Sequence, residues 1–424
     1  MDKVQITPRK LSGTVTIPPS KSLSHRAIIC AALASGESRV NNLIFSKDII
    51  ATSKAMESLG VKMKFNKTSI DIVGNDNLKL INSEIDCNES GSTLRFIIPI
   101  ALLTSNEVTF TGKGRLTTRP LTTYYNIFDK EGIEYDTREG LPLKAKGSLK
   151  PSTYDVEGNI SSQFITGLMF TLPCLNGDST IKIIGELESK GYVDLTIDVL
   201  RQYGINIINN NYSEFKIKGN QKYKVQDYRV EGDYSQVAFF IVAGLLGGEI
   251  TCLDMKQDSL QGDRAIIDIV RLMGGRVDVM QDRIIVYPSK THGAIIDASQ
   301  CPDLVPIVAT LAALSEGETR IINAQRVRIK ESDRLEAMRC ELNKIGADVS
   351  ETEDGLIIQG KKTLNGGTVS GWNDHRIVMA MAMASIRCTS DMIIEGSNAI
   401  TKSYPTFFED FRKLGGEVDE FNAR

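Results

Sequence analysis

Residues 333–351 read DRLEAMRCELNKIGADVSE. Leu335, Met338, Leu342 and Ile345 recur at spacings of three and four, which predicts a helix from Asp333 to Ile345 with one apolar stripe. Gly346 follows, where a helix ends in the left-handed backbone region, and the alternation after it predicts a short strand. The same phrase returns as SLG-VKMKF at Gly60, KEG-IEYD at Gly132, QYG-INII at Gly204, LMG-GRVDVM at Gly274 and KLG-GEVDE at Gly415. Successive spacings of these glycines, in chain order, are 72, 72, 70, 72 and 69 residues. Six copies of one unit therefore make up the 424-residue chain. A second strand follows in five of them: SIDIVG, LPLKAKG, EFKIKG, RIIVYP and GLIIQG.

The other half of each unit is as regular. A polar start leads into about a dozen apolar and small residues, then a loop and a β-branched strand, as in YSQVAFFIVAGLLGGEITCL and DLVPIVATLAALSEGETRIIN. This first helix is apolar on nearly every side and is predicted to be buried, with the amphipathic helix outside it. Two helices and about four strands per unit predict an α/β fold of two domains, three repeats each. The phase of the repeat places the first domain at 20–231 and the second at 1–19 plus 232–424. The strand Val4 to Ile17 goes with the second domain. Two crossovers, near 17–20 and 229–232, form the expected hinge.

Composition narrows the function. With 41% apolar and 24% charged residues the chain can bury large cores. A net charge of −3 argues against a general nucleic-acid or anionic-membrane binder, so any anion site is local. The apolar stretch Val237 to Leu246 is too short to span a bilayer, and MDKVQITPRK lacks a signal-peptide core, so a cytoplasmic protein is expected. Seven cysteines without a CxxC pair read as core residues in a reducing compartment. Three histidines offer few metal ligands, and no GxGxxG or GxxxxGK[ST] loop is present, so no metal or organic cofactor is expected.

The informative residues stand at the repeated helix starts. A helix start carries partial positive charge and favours acids or bound anions. Yet Lys21 and Arg26 in PSKSLSHRA, Arg119 in RLTTRPL, Lys330 and Arg334 in KESDRL, His375-Arg376 in NDHRI and Lys402 in TKSYP are basic. Their shared register points to external anions seated among them. Gly91-Ser92-Thr93, Ser161-Ser162-Gln163 and Ser189-Lys190-Gly191-Tyr192 open other helices with hydroxyls, an amide and free N–H groups, all suited to phosphate or carboxylate oxygens. Asp303 and Glu331 read alone as a helix cap and a member of a capping arrangement. Among so many cations they are also the groups suited to moving protons. Asp333 reads as an orienter of its basic neighbours, His25 as a residue packed or hydrogen-bonded at its helix start, His292 as a solvated loop residue, and Trp372 as packing beneath the helix start that follows it.

Taken together, Lys21-Ser22-x-Ser24-x-Arg26, Ser90-Gly91-Ser92-x-x-Arg95, Arg119-Pro120, Ser161-Ser162-Gln163-Phe164, Lys330-Glu331-Ser332-Asp333-Arg334, Asn373-Asp374-His375-Arg376 and Lys402-Ser403-Tyr404-Pro405 resemble the 5-enolpyruvylshikimate-3-phosphate synthase family, in order, from about residue 4 to 412. The resemblance implies a two-domain inside-out α/β barrel of six βαβαββ repeats that closes over an interdomain cleft. It implies transfer of the enolpyruvyl group of phosphoenolpyruvate to the 5-hydroxyl of shikimate 3-phosphate, with release of phosphate and no cofactor, in aromatic amino acid biosynthesis and as the target of glyphosate; a monomer is expected because each domain can bury its own core. Carried over by position, Lys21, Gly91, Arg119, Gln163, Arg334, Arg376 and Lys402 would hold phosphoenolpyruvate. Lys21, Ser22, Arg26, Ser161, Ser162, Gln163, Ser189, Tyr192, Asp303 and Lys330 would hold shikimate 3-phosphate. Asp303, with Lys21, would take the hydroxyl proton, Glu331 would protonate the methylene carbon, and His375 would support Glu331. The chain departs from common family residues at Glu89, Phe96 and Arg326, which bears on affinity and glyphosate sensitivity rather than on reaction class. The sister enolpyruvyl transferases acting on UDP-N-acetylglucosamine are the alternative, but they carry a reactive cysteine in the loop that here reads TGKGRLTTRP. A non-catalytic anion-binding relative would lack proton-transfer groups, and Lys21, Asp303 and Glu331 are present.

Overall fold

A computed structural model of the chain describes residues 3–421. It divides into two compact units: one runs to Pro18 and resumes at Glu231, the other is Pro19–Val230. Each has its own apolar core.

In the unit Pro19–Val230 three four-stranded sheets repeat one order. Thr153–Glu157 lies parallel to Ser179–Ile184, which is antiparallel to Glu214–Ile217, which is antiparallel to Ile207–Asn210. Glu84–Asp86, Val108–Thr111, Leu143–Lys146 and Glu134–Thr137 form a second copy. The third copy borrows its first strand, Tyr228–Arg229, from the far end of the unit and sets it beside Gly36–Asn41. Long βα connections are what allow the parallel pairs.

The other unit repeats the pattern with two borrowings. Gly13–Thr16 serves as first strand for the sheet of Ile250–Leu253, and Lys3–Thr7 enters between Met392–Glu395 and Glu417–Phe421, where the sixth repeat lacks a second strand of its own. The single strand expected from Val4 to Ile17 is thus two strands in two different sheets. Pro8 has no N–H to donate and Gly13 has φ +119°, so the ladder stops and the chain turns between them.

The helices divide as the repeat predicts. Every residue of Tyr234–Leu246 is buried, as are most of Lys21–Leu33, Gly91–Ala101, Ser162–Thr171, Val305–Ala313 and His375–Ala384. Outer helices such as Lys190–Gln202 bury one stripe, here Val193, Leu195, Thr196, Val199 and Leu200. Five inner helices start on a side-chain cap, from Ser20, Ser90, Ser161, Asp233 and Asp374. The remaining inner helix, Val305–Ala313, fifth in chain order, begins instead through a 3-10 turn, Pro302–Leu304, without a side-chain cap. Asp303 is therefore not the helix cap its position suggested.

All six repeat glycines have φ between +70° and +91°. Gly132 shows the backbone term alone, since a Cβ there would meet no atom within 4 Å. Gly132→Ala is expected to cost about 1 kcal/mol, read as a lower urea midpoint. An unchanged midpoint would mean the left-handed residue is not what ends this helix.

Candidate active site

In the unit Pro19–Val230 the polar ends of the buried helices are tied to one another. Lys21 opens its helix and its ammonium lies 2.8 Å from an Asp48 carboxylate oxygen, in the first turn of the outer helix Lys47–Ser58. Arg26, one turn further in and buried, donates from Nε to Thr196 Oγ1 (2.9 Å), from Nη1 to the Ser22 carbonyl (2.7 Å) and from Nη2 to the Tyr192 carbonyl (3.0 Å). Burial lowers its pKa to about 10, which leaves it cationic at neutral pH. The backbone of Ser189 takes φ +56° just before the helix that carries Tyr192.

Gly91 and Arg119 meet closely. A Cβ on Gly91 would stand 2.5 Å from Arg119 Nη1, so a larger residue here would push the guanidinium away from the helix start. Gln163 is fixed from both ends: its Oε1 accepts from Arg95 (2.8 Å) and its Nε2 donates to Ser92 (2.9 Å). Ser161 caps that helix by accepting from the Gln163 N–H at 3.3 Å, and Ser162 is buried beside it. His25, buried, shares its Nδ1 with Thr52 Oγ1 (2.7 Å), which leads through Thr93 to Ser90, the cap before Gly91. Burial, with Lys21 and Arg26 nearby, pushes the His25 pKa well down, so it is neutral.

The unit that resumes at Glu231 centres on one guanidinium. Arg334, 1% exposed, donates from Nε to Asp374 Oδ2 (2.8 Å), from Nη1 to Asp303 Oδ1 (2.9 Å), and from Nη2 to Glu331 Oε2 (2.9 Å) and Asp374 Oδ1 (3.3 Å). Burial alone would lower its pKa, but Asp374, Glu331 and Asp303 outweigh this and raise it. Asp303 reaches across to Arg376 Nη2 (2.9 Å), and Lys330 Nζ lies 3.5 Å from it. Arg376 also donates to Ser235 Oγ (3.0 Å) at the start of the neighbouring buried helix. Lys402 donates to the Asn373 carbonyl (2.6 Å). His375 is buried with Nδ1 3.8 Å from Asp374 Oδ1.

The expected residues fall into two groups, one in each unit, and two features differ from the sequence reading. In the unit that resumes at Glu231 the basic helix starts are met by the chain's own carboxylates rather than by external anions alone. Lys402 closes the 3-10 turn Ser397–Lys402 instead of opening a helix, and Arg119 follows another such turn, Gly114–Thr118. Asp333 caps the helix Arg334–Lys344 and also pairs with Arg328 (3.1 Å). His292 is exposed, in agreement with the sequence. Sequence reading gave Asp374 only as part of a motif, without its pairing to Arg334, and missed Asp48 and Ser235. Ser235-Gln236 repeats the Ser-Gln pair of Ser162-Gln163 within one residue of the same place after the cap, a signal that could have found it.

Residues 6–411 match a family model described as EPSP synthase (3-phosphoshikimate 1-carboxyvinyltransferase). The chain belongs to the EPSP synthase family. It is 58% identical to the 3-phosphoshikimate 1-carboxyvinyltransferase of Clostridium novyi (strain NT), over 100% of this chain and 99% of that one. It is 55% identical to the protein of the same name from Clostridium kluyveri, over the full length of both. Among solved structures, EPSP synthase from Acinetobacter baumannii superposes with TM-score 0.82 at 25% identity, covering 99% of this chain and 100% of that one. The enolpyruvyl transferase NikO from Streptomyces tendae, TM-score 0.80 at 18% identity and covering 100% of both chains, shares the fold. As an EPSP synthase the chain is a carboxyvinyl transferase of the shikimate route to aromatic amino acids. No helix among the described residues is long and apolar enough to cross a membrane.

Burial pushes the Asp374 carboxyl up, but Arg334 beside it prevails and holds it below the usual carboxylate range. The stability it contributes is therefore complete above the unfolded aspartate pKa of about 4 and is lost as pH falls through the lower folded value. Asp374→Asn is expected to cost about 3 kcal/mol at neutral pH and to flatten the acid limb of a urea-unfolding series. An acid limb identical to that of the parent chain would assign the acid sensitivity elsewhere.

Proposed function

We propose that this chain joins phosphoenolpyruvate to the 5-hydroxyl of shikimate 3-phosphate, using the polar groups gathered at the buried-helix starts of each unit. The observation that carries the reading is Arg334, which holds Asp303 and Glu331 at 2.9 Å each and so presents two carboxylates to one reaction centre. Lys21, Gly91, Arg119, Gln163, Arg334, Arg376 and Lys402 take the phosphate and carboxylate of phosphoenolpyruvate. Four N–H directions of Arg334 already serve carboxylates, so it offers an external anion charge and one further donor. Ser22, Arg26, Ser161, Ser162, Gln163, Ser189, Tyr192, Asp303 and Lys330, with Lys21, take shikimate 3-phosphate. Two multiply charged anions approach each other only where several fixed cations offset their repulsion.

Asp303, assisted by Lys21, accepts the proton of the 5-hydroxyl as its oxygen bonds to C2 of phosphoenolpyruvate. Glu331 delivers a proton to C3, which turns the methylene into a methyl group. The tetrahedral adduct then expels phosphate, and a methyl proton returns to Glu331 to restore the double bond. His375 supports Glu331 from the neighbouring helix start. The chain acts as a cytoplasmic monomer in this reading, supported by a separate core in each unit and by seven cysteines without a disulfide.

The test is phosphate release from phosphoenolpyruvate without added metal, with shikimate 3-phosphate or UDP-N-acetylglucosamine as acceptor. Release with shikimate 3-phosphate alone is expected, and release with the nucleotide sugar alone would overturn the acceptor. Glu331→Gln should bind both substrates but turn over about 100-fold more slowly; near-normal turnover would remove its role as acid. Lys21→Ala should raise the KM for phosphoenolpyruvate, and an unchanged KM would take Lys21 out of the anion site.

A further inference from the structure

Glu341 lies outside both groups above, yet its side chain is 1% exposed and fully engaged. One oxygen accepts the indole N–H of Trp372 (2.6 Å), the other accepts the Ser370 backbone N–H (2.9 Å), and Lys344 donates to both at 2.9 Å. The segment it grips is unusual. Trp372 and Asn373 take consecutive φ values of +52° and +50°, a left-handed pair that non-glycine residues rarely adopt and that needs outside support. Their strained turn delivers two groups to the site: the Asn373 carbonyl, which receives Lys402 Nζ at 2.6 Å, and Asp374, which caps the helix of Arg376 and accepts from Arg334. Arg334 and Glu341 are seven residues apart on the helix Arg334–Lys344, two turns, so both leave the same face. One helix therefore holds the turn at both ends, Asp374 through Arg334 and Ser370 with Trp372 through Glu341.

We propose that Glu341 is a positioning residue for phosphoenolpyruvate, acting through the Trp372–Asn373 turn on Lys402. A carboxylate suits the task because it accepts from three donors at once, and a glutamine at this position would set its own N–H groups against one of them. The inference rests on the assignment of Lys402 to the phosphoenolpyruvate site. Trp372 is the single tryptophan of the chain, so its emission reports on this turn alone.

The experiment is a double-mutant cycle on the full chain with Glu341→Gln, Lys402→Ala and the pair, reading kcat, both KM values and tryptophan emission. Glu341→Gln is expected to raise the KM for phosphoenolpyruvate about tenfold, the scale of one lost charge-assisted hydrogen bond. The KM for shikimate 3-phosphate should stay within about twofold, and emission should shift. In the Lys402→Ala background the same substitution should change the KM for phosphoenolpyruvate less than about twofold, because the path runs through Lys402. Effects that multiply independently would make Glu341 a merely structural residue and overturn the proposal. A tenfold effect of Lys402→Ala with none from Glu341→Gln would overturn it while sparing the site assignment. No effect of Lys402→Ala would overturn both. Should Glu341→Gln fail to fold, Trp372→Phe removes only the indole donor; a raised KM for phosphoenolpyruvate supports the proposal and an unchanged one overturns it.

Discussion

A guanidinium that is 1% exposed cannot stand without counter-charge, and Arg334 meets that constraint with Asp374, Asp303 and Glu331. The cost of burying one ion is several kcal/mol unless partners of good geometry surround it. Most of the local arrangement follows from that requirement. Asp374 is drawn to the start of one buried helix, Asp303 to a 3-10 turn at the start of another, and Glu331 to the end of the loop before Arg334. Two of these three carboxylates, Asp303 and Glu331, are the ones that the proposed mechanism uses to move protons, while Asp374 serves charge balance. Electrostatic balance and chemistry thereby overlap in those two groups.

The six-fold repeat explains how so many charges come to lie at helix ends. Each repeat buries its first helix, and polar groups at the start of a buried helix must be capped or paired. Ser20, Ser90, Ser161, Asp233 and Asp374 do the capping, which leaves the neighbouring positions for Lys21, Gly91, Ser162, Ser235 and Arg376. Those positions all carry groups able to meet an anion or the residue that holds one. The structural need for a cap and the anion binding proposed above fall on adjoining residues.

Much of this was legible in the amino-acid order. The glycines at 60, 132, 204, 274, 346 and 415 announce six helix ends, and all six take the left-handed backbone. Basic residues at helix starts mark the candidate site, because they oppose the helix dipole, although Lys402 and Arg119 stand at 3-10 turns instead. What was not legible depends on partners far apart in sequence. Lys3–Thr7 and Gly13–Thr16 read as one strand because alternation does not say which sheet receives it. Asp374 read as part of a motif, while its role as the buried partner of Arg334, 40 residues away, required the fold. Asp48 has an ordinary position in the first turn of an amphipathic helix and shows nothing local to mark it as the partner of Lys21. Asp303 looked like a cap, and only the geometry shows both its oxygens turned to guanidinium groups.

The central claim is that internal carboxylates hold the anion-binding cations until substrate arrives. It is tested most directly by calorimetric binding of phosphoenolpyruvate in a Glu331→Gln background that slows turnover, with and without Asp303→Asn, each saturated with shikimate 3-phosphate, beside the turnover of Asp303→Asn alone. Removing the charge that neutralises Arg376 and shares Arg334 is predicted to leave phosphoenolpyruvate affinity unchanged or tighter while turnover collapses. Affinity that falls in parallel with turnover would contradict the account, since Asp303 would then be building the anion site rather than guarding it.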